Sequence, residues 1–245
     1  MTAIEQRMLR AEIDRRGCAS EDIKLLMTLP GIDVTIAHAL VAAIGPISRF
    51  DSPERLAAYL GLVPSVYQSA EHTYHGRITK QGNTNARWLL VQAAQIAGRH
   101  PGPLGRQFAQ LARRKHRNVA VVALARKLAV LAWHLLTKRE PYRYASSAAL
   151  ETKLQRLRVS VQAQRKRGPQ PGSKRSSHYG TDVRTRQTKA LNTVLRQEGL
   201  PSATQPPVGE SRVIHELGLD AFAQNIQTDG RKLRAQSSRQ ASISS

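Results

Sequence analysis

The residues most suited to chemistry lie between Gly61 and Arg87. The chain reads Gly61-Leu62-Val63-Pro64-Ser65-Val66-Tyr67-Gln68-Ser69-Ala70, then His75-Gly76-Arg77-Ile78-Thr79-Lys80-Gln81-Gly82-Asn83, then Arg87. Serine hydroxyls here stand close in sequence to several cations and a Gly-bearing backbone. Attack on a phosphodiester needs that combination, because the hydroxyl can form a phosphoester while cations stabilise the charged transition state. The residues alone do not select a serine, since loop serines most often form turns.

A second candidate is Leu29-Pro30-Gly31-Ile32, with Ala37 on the following helical stretch. It has the form of a helix-hairpin-helix, in which a Gly31 turn exposes backbone N–H groups to one phosphate without reading a base. Asp33 beside the turn works against an anion. His72 and His75 have a spacing seen in zinc sites but lack a partnering Cys pair, and Cys18 reads as a small inert side chain. No metal is expected within the chain, and no phosphate-binding P-loop suggests ATP hydrolysis. Tyr142-Arg143-Tyr144 suits either base stacking or the sealing of a core.

Charge points to the partner. The chain has 245 residues, a formal net charge of +21 and a sequence pI near 11.2, which call for a polyanion such as DNA or RNA. Between Glu71 and Glu140 there is no Asp or Glu, yet the stretch holds Arg77, Lys80, Arg87, Arg99, Arg106, Arg113, Arg114, Lys115, Arg117, Arg126, Lys127, Lys138 and Arg139. Solvated helices mix both signs, so an acid-free block of this length is better matched by external phosphates. Aromatics are only 4% of residues, so the core must be Leu, Ala, Val and Ile, which favours packed helices. With one cysteine, no signal peptide and no apolar run long enough to span a bilayer, the expected setting is cytoplasmic, at the nucleoid, without a membrane.

The elements that must position these residues follow from periodicity. Residues 4–16 predict the end of an amphipathic helix interrupted at Gly17. Short helices are expected before Pro30-Gly31 and over Thr35–Ile44, and another begins at Ser52-Pro53-Glu54. Leu62–Lys80 has no helical period and reads as looped or short β. Helices return over Thr84–Ala97, Leu104–Lys115 and Val119–Leu136, the last capped by Asn118 and apolar enough to be the buried spine. The fold class is therefore mostly α: a compact helical domain with a helix-hairpin-helix and an irregular or short-β centre. Expected boundaries are 1–19 (linker or coiled-coil end), 20–145 (the domain) and 146–245 (a basic low-complexity tail, largely disordered from about Gln164). Residues 191–200 and 212–226 of the tail could form short helices on a partner.

The ordered string Leu26-Met27-Thr28-Leu29-Pro30-Gly31-Ile32, Ile44-Gly45, Arg49-Phe50, Ala58-Tyr59-Leu60-Gly61-Leu62-Val63-Pro64, Gly76-Arg77-Ile78-Thr79-Lys80-Gln81-Gly82-Asn83 and Arg87-Trp88-Leu89-Leu90-Val91 resembles the C-terminal domain of the insertion sequence 110/116/902 transposase family. The resemblance covers about half the chain. It implies a helical domain supplying a serine nucleophile to an enzyme whose N-terminal RNase-H-like domain carries metal-binding carboxylates, guided to DNA by a structured RNA. The implied nucleophile is Ser69, with Ser65 as the alternative; Ala70 stands where the family usually has Gly, and a site needing positive φ there would be strained. Arg77, Lys80 and Arg87 align with the family's basic positions, and with Gly31, Gly82, Arg113, Arg114 and Lys115 are the candidate nucleic-acid contacts. Asp33, Asp51, Glu54 and Glu71 suggest no converging metal set, so Mg²⁺ is implied only in an RNase-H-like part expected to be absent from this chain. The expected partners are DNA, a guide RNA, an RNase-H-like domain elsewhere and further copies in a recombination complex. Alone, the chain is expected to be inactive; a different reading is a non-catalytic module that binds DNA or RNA and regulates a full-length transposase.

Overall fold

The computed structural model describes residues 2–69, 72–161, 186–228 and 230–232, with the backbone alone described at 67–69, 72–75, 186–188 and 230–232. Helix α1 (Ala3–Ala19) opens on a capping box: Thr2 Oγ1 accepts from Glu5 N at 3.3 Å and Thr2 N donates to Glu5 Oε2 at 2.7 Å. The expected interruption at Gly17 is corrected, because the helix runs through it. Gly17 is where α1 crosses α3, and a Cβ there would sit 2.5 Å from Val34 Cγ2. Its value is closeness of approach, which sequence reading took for a break.

Helices α2 (Glu21–Met27) and α3 (Val34–Ile44) follow, then a 3₁₀ turn (Ile47–Arg49) and α4 (Pro53–Tyr59), whose Ser52 cap and leading Pro53 stand as the sequence predicts. Strands β1 (Pro64–Ser69) and β2 (His72–Ile78) form an antiparallel hairpin. Then come α5 (Thr84–Ala97), α6 (Pro103–Arg114) and α7 (Arg117–Lys138). The cap of α7 is His116 rather than the expected Asn118: its Nδ1 accepts from Asn118 N at 3.2 Å. Leu124, Ala125, Leu128, Ala129 and Ala132 make α7 the spine, packed by α2, α4, α5 and α6. Each Leu so buried stabilises the fold by about 1.5–3 kcal/mol. By length and composition α7 is apolar enough to cross a bilayer, which corrects the expectation of no such run. Here half of it is buried inside the protein.

The expected boundary at 145 falls inside this core. Helix α8 (Ser147–Val161) buries Leu150, Leu154 and Leu157 against α1 and α2. Beyond it lie β3 (Arg186–Thr188), α9 (Leu191–Gln197), α10 (Val208–Glu216), α11 (Asp220–Gln227) and β4 (Gly230–Lys232), with β3 and β4 antiparallel. The expected tail is corrected over these residues. Leu191, Val194, Leu195, Ile214, Leu219 and Ile226 are buried, and the chain itself is the surface on which the predicted short helices form. Polar ties reinforce the docking: the buried Glu198 carboxylate pairs with Lys24 and Arg158, Arg143 Nη1 reaches Glu210 Oε2 at 2.6 Å, and Phe222 meets the His100 ring edge-on at 5.8 Å. The Gln164–Pro169 run lies outside the described residues.

Candidate nucleic-acid interface and serine hairpin

The hairpin grows from a base assembled by two separated motifs. Gly82 has φ +135°, and a Cβ on it would lie 2.0 Å from the Tyr59 carbonyl oxygen and 3.2 Å from Gly61 N. The loop after β2 is thus pressed, backbone to backbone, onto the turn that precedes β1. Arg87 holds the two together. Its Nη1 donates to Lys80 O at 3.0 Å and Leu60 O at 3.4 Å, and its Nη2 to Thr84 Oγ1 at 3.4 Å. Asn83 then caps α5 by accepting from Ala86 N at 3.0 Å. Lys80 is exposed with φ +55°, an uncommon conformation for a residue with a Cβ.

Along the hairpin, Val66 pairs with His75, Tyr67 with Tyr74, Gln68 with Thr73 and Ser69 with His72, and a bulge lies between Pro64 and Val66. Ser65, in the bulge, donates to Arg77 O at 3.1 Å. Ser69 is the last described residue of β1; Ala70, with its question of positive φ, lies outside the described residues. From Pro64 to Ser69 the strand advances roughly 17 Å at its usual rise. The structure therefore brings Lys80, Gly82 and Arg87 together at the base, sets exposed Arg77 beside Ser65, and carries Ser69 to the far end.

The Leu29–Asp33 hairpin is built differently from the sequence expectation. Gly31, φ +85°, has the Ala93 carbonyl of α5 where a Cβ would be, at 2.2 Å, so its role is packing. The start of α3 is occupied by the chain's own Asp33, which accepts from Ile36 N at 3.0 Å. Sequence reading missed Lys153. Its Nζ donates to the carbonyls of Ile32 (2.7 Å), Met27 (2.9 Å) and Leu29 (3.0 Å), and burial pushes its ammonium down to about 8 against the pull of Asp33. A lone lysine in an amphipathic segment carries no signal of such a role. Arg49 was visible only as part of a motif; it donates to Ile44 O at 3.3 Å and lies over the Phe50 and Tyr59 rings at 5.6 and 5.7 Å. Tyr142 and Tyr144 are buried against each other at 5.9 Å, and burial raises both phenols, Tyr144 to about 12. They seal the core.

The free cations lie elsewhere. Arg106, Arg113, Arg114, Lys115 and Arg117 are all exposed, and among the described residues none of them forms an ion pair, whereas Arg139 pairs with Asp22 and Arg143 with Glu140 and Glu210. Arg113, Arg114, Lys115 and Arg117 gather where α6 ends and α7 begins, and Arg106 lies two turns earlier on α6. Neither helix has an acid in its first turn. Among the described residues no three His, Cys, Asp or Glu side chains converge to hold a metal ion, so these residues do not fit the Mg²⁺ implied by the resemblance.

Residues 23–110 match the family described as "Transposase IS116/IS110/IS902 family". Among curated proteins, the transposase for insertion sequence element IS1111A of Coxiella burnetii is 34% identical over 51% of this chain and 35% of its own length. A probable family 20 transposase of Pseudomonas aeruginosa is 31% identical over 58% and 44%, and the pilin gene-inverting protein of Moraxella bovis 30% over 48% and 38%. The chain thus spans less than half the length of these relatives. The matched stretch runs from α2 into α6 and includes the hairpin and its base. Over residues 23–110 this chain is similar to the IS116/IS110/IS902 transposase family.

Proposed function

We propose that the chain acts in the transposition of an insertion sequence, binding DNA through its acid-free basic surface and offering Ser69 as the nucleophile. The observation that carries the reading is the family match over 23–110, which contains the serine hairpin together with the base that projects it. Transposition and gene inversion, the activities named for the relatives, both require strands to be cut and rejoined. A serine suits that need. Its Oγ forms a bond to phosphorus as the bond to a deoxyribose oxygen breaks; the hydroxyl proton passes to a base and the departing oxygen takes one up. The phosphoester keeps the energy of the broken bond for rejoining. An RNase-H-like domain with its Mg²⁺, a guide RNA and further copies of the chain belong to the same proposal, as the source of what the described residues do not assemble.

The test combines the chain with an RNase-H-like domain of the family, guide RNA and labelled element DNA, followed by denaturation. Wild type is expected to retain a covalent protein–DNA adduct, and Ser69→Ala to lose it with DNA affinity nearly unchanged, since one neutral hydroxyl adds little to binding by Arg and Lys. An adduct that survives Ser69→Ala moves the role to Ser65. Bound DNA without any wild-type adduct establishes the regulatory module instead.

A further inference from the structure

The outer face of helix α6 is made of arginine, glutamine and alanine. Leu104, Gly105 and Phe108 lie toward α7 and the core and Leu111 is half-buried, while Arg106, Gln107, Ala109, Gln110, Ala112, Arg113 and Arg114 are exposed. At 3.6 residues per turn, Arg106, Gln110 and Arg113 fall within an arc of about 60° opposite Leu104 and Phe108. The stripe holds no acid and no lysine. Arg and Gln are the side chains whose paired hydrogen-bonding groups match the major-groove edges of guanine and adenine, while a surface built only to neutralise phosphate has no need of glutamine. Ala109 and Ala112 border the stripe on one side with methyl groups, and Gln107 and Arg114 border it on the other. Lys115 and Arg117, at the turn into α7, extend the positive charge beyond the stripe.

We propose that α6 enters the major groove of duplex DNA, with Arg106, Gln110 and Arg113 on base edges and Arg114, Lys115 and Arg117 on the neighbouring phosphates. This rests on the DNA-binding part of the proposed function and adds to it a sequence preference that belongs to the protein. Arg106 and Arg113 are about 10.5 Å apart along the helix axis, which matches about three base-pair steps. The footprint of the preference is therefore short, two or three base pairs.

The experiment is selection of B-form duplexes from a randomised pool by the full chain without guide RNA, followed by affinity measurement across salt. Wild type is expected to enrich a short motif containing guanine and adenine. Arg113→Lys keeps the charge, so its salt slope should stay unchanged while the preference at one base pair falls about tenfold; Gln110→Ala should lose the preference at another. An RNA duplex of the enriched sequence should bind clearly less well, because its major groove is too narrow for a helix. Salt-dependent binding without enrichment, or equal binding of the RNA duplex, overturns the proposal and leaves the DNA-binding reading intact. Absence of any salt-dependent binding removes both. All three positions are exposed, so unchanged thermal midpoints in the variants show that folding is not the cause.

Discussion

Replacing Gly82 with alanine tests whether the hairpin base is the rigid joint described here. Two costs add. A φ of +135° disfavours any residue with a Cβ by at least about 1–2 kcal/mol. The new Cβ would also stand 2.0 Å from the Tyr59 carbonyl oxygen, and because both sides of that contact are main chain no rotamer change relieves it. The loop must withdraw, taking the Lys80 carbonyl from Arg87 Nη1, a hydrogen bond to a charged group worth about 1.5–3 kcal/mol. The expected loss is about 3–5 kcal/mol. With a urea slope of about 2 kcal/mol per molar, the unfolding midpoint should fall by about 2 M. Gly209→Ala is the control: it lies in α10 with no atom within 4 Å of the added Cβ, and should stabilise by up to about 1 kcal/mol. A Gly82→Ala protein within 1 kcal/mol of wild type would refute the joint.

Three further outcomes are expected. Arg87→Gln should cost about 1–3 kcal/mol in urea unfolding and leave the DNA-binding salt slope unchanged, because the guanidinium serves carbonyls of the fold; a slope reduced by about 0.9 would make it a phosphate ligand. Lys153→Met leaves the carbonyls of Met27, Leu29 and Ile32 without their donor and should lower stability by about 2–4 kcal/mol, against which an unchanged midpoint would show that water replaces the ammonium. Burial holds His100 below its usual pKa, and its Nδ1 accepts from Gly102 N. The unfolded chain then binds the proton more readily, so stability is full above about 6.5 and declines as pH falls through and below that value; His100→Asn should flatten the decline between pH 7 and 5.5, and a wild-type midpoint that rises on acidification contradicts the sign.

Local signals carried most of the helical domain into view. The apolar period placed α3, α5, α6 and α7 within a residue or two, and the lack of any period over Leu62–Lys80 marked the hairpin. What stayed hidden is non-local. Gly17 looks like a helix breaker until Val34 of another helix is seen against it. Leu191, Leu195 and Ile226 are too sparse in their own segments to suggest a core, and are buried where α9 packs on α8 and α11 packs on α9. For the site, sequence assembled the basic residues but not their division of labour: Arg87 and Lys153 face carbonyl oxygens, while Arg106, Arg113 and Arg114 face solvent.

The hairpin is a cantilever, fixed at Gly82 and Arg87 and bearing Ser69 at its far end. Over an arm of roughly 17 Å, a tilt of about 4° at the root displaces the end by about 1 Å, and a misplacement of that size can cost about a hundredfold in rate. The three Arg87 hydrogen bonds, the bond from Thr79 N to Val63 O at 2.9 Å and the close backbone approaches at Gly61 and Gly82 all act at the root, the end of the arm away from Ser69. For the proposed reaction, the aim of the hydroxyl would be set by whatever grips the hairpin tip. Pairing of the right DNA ends could then be enforced mechanically, because strand cleavage would wait until that second grip forms.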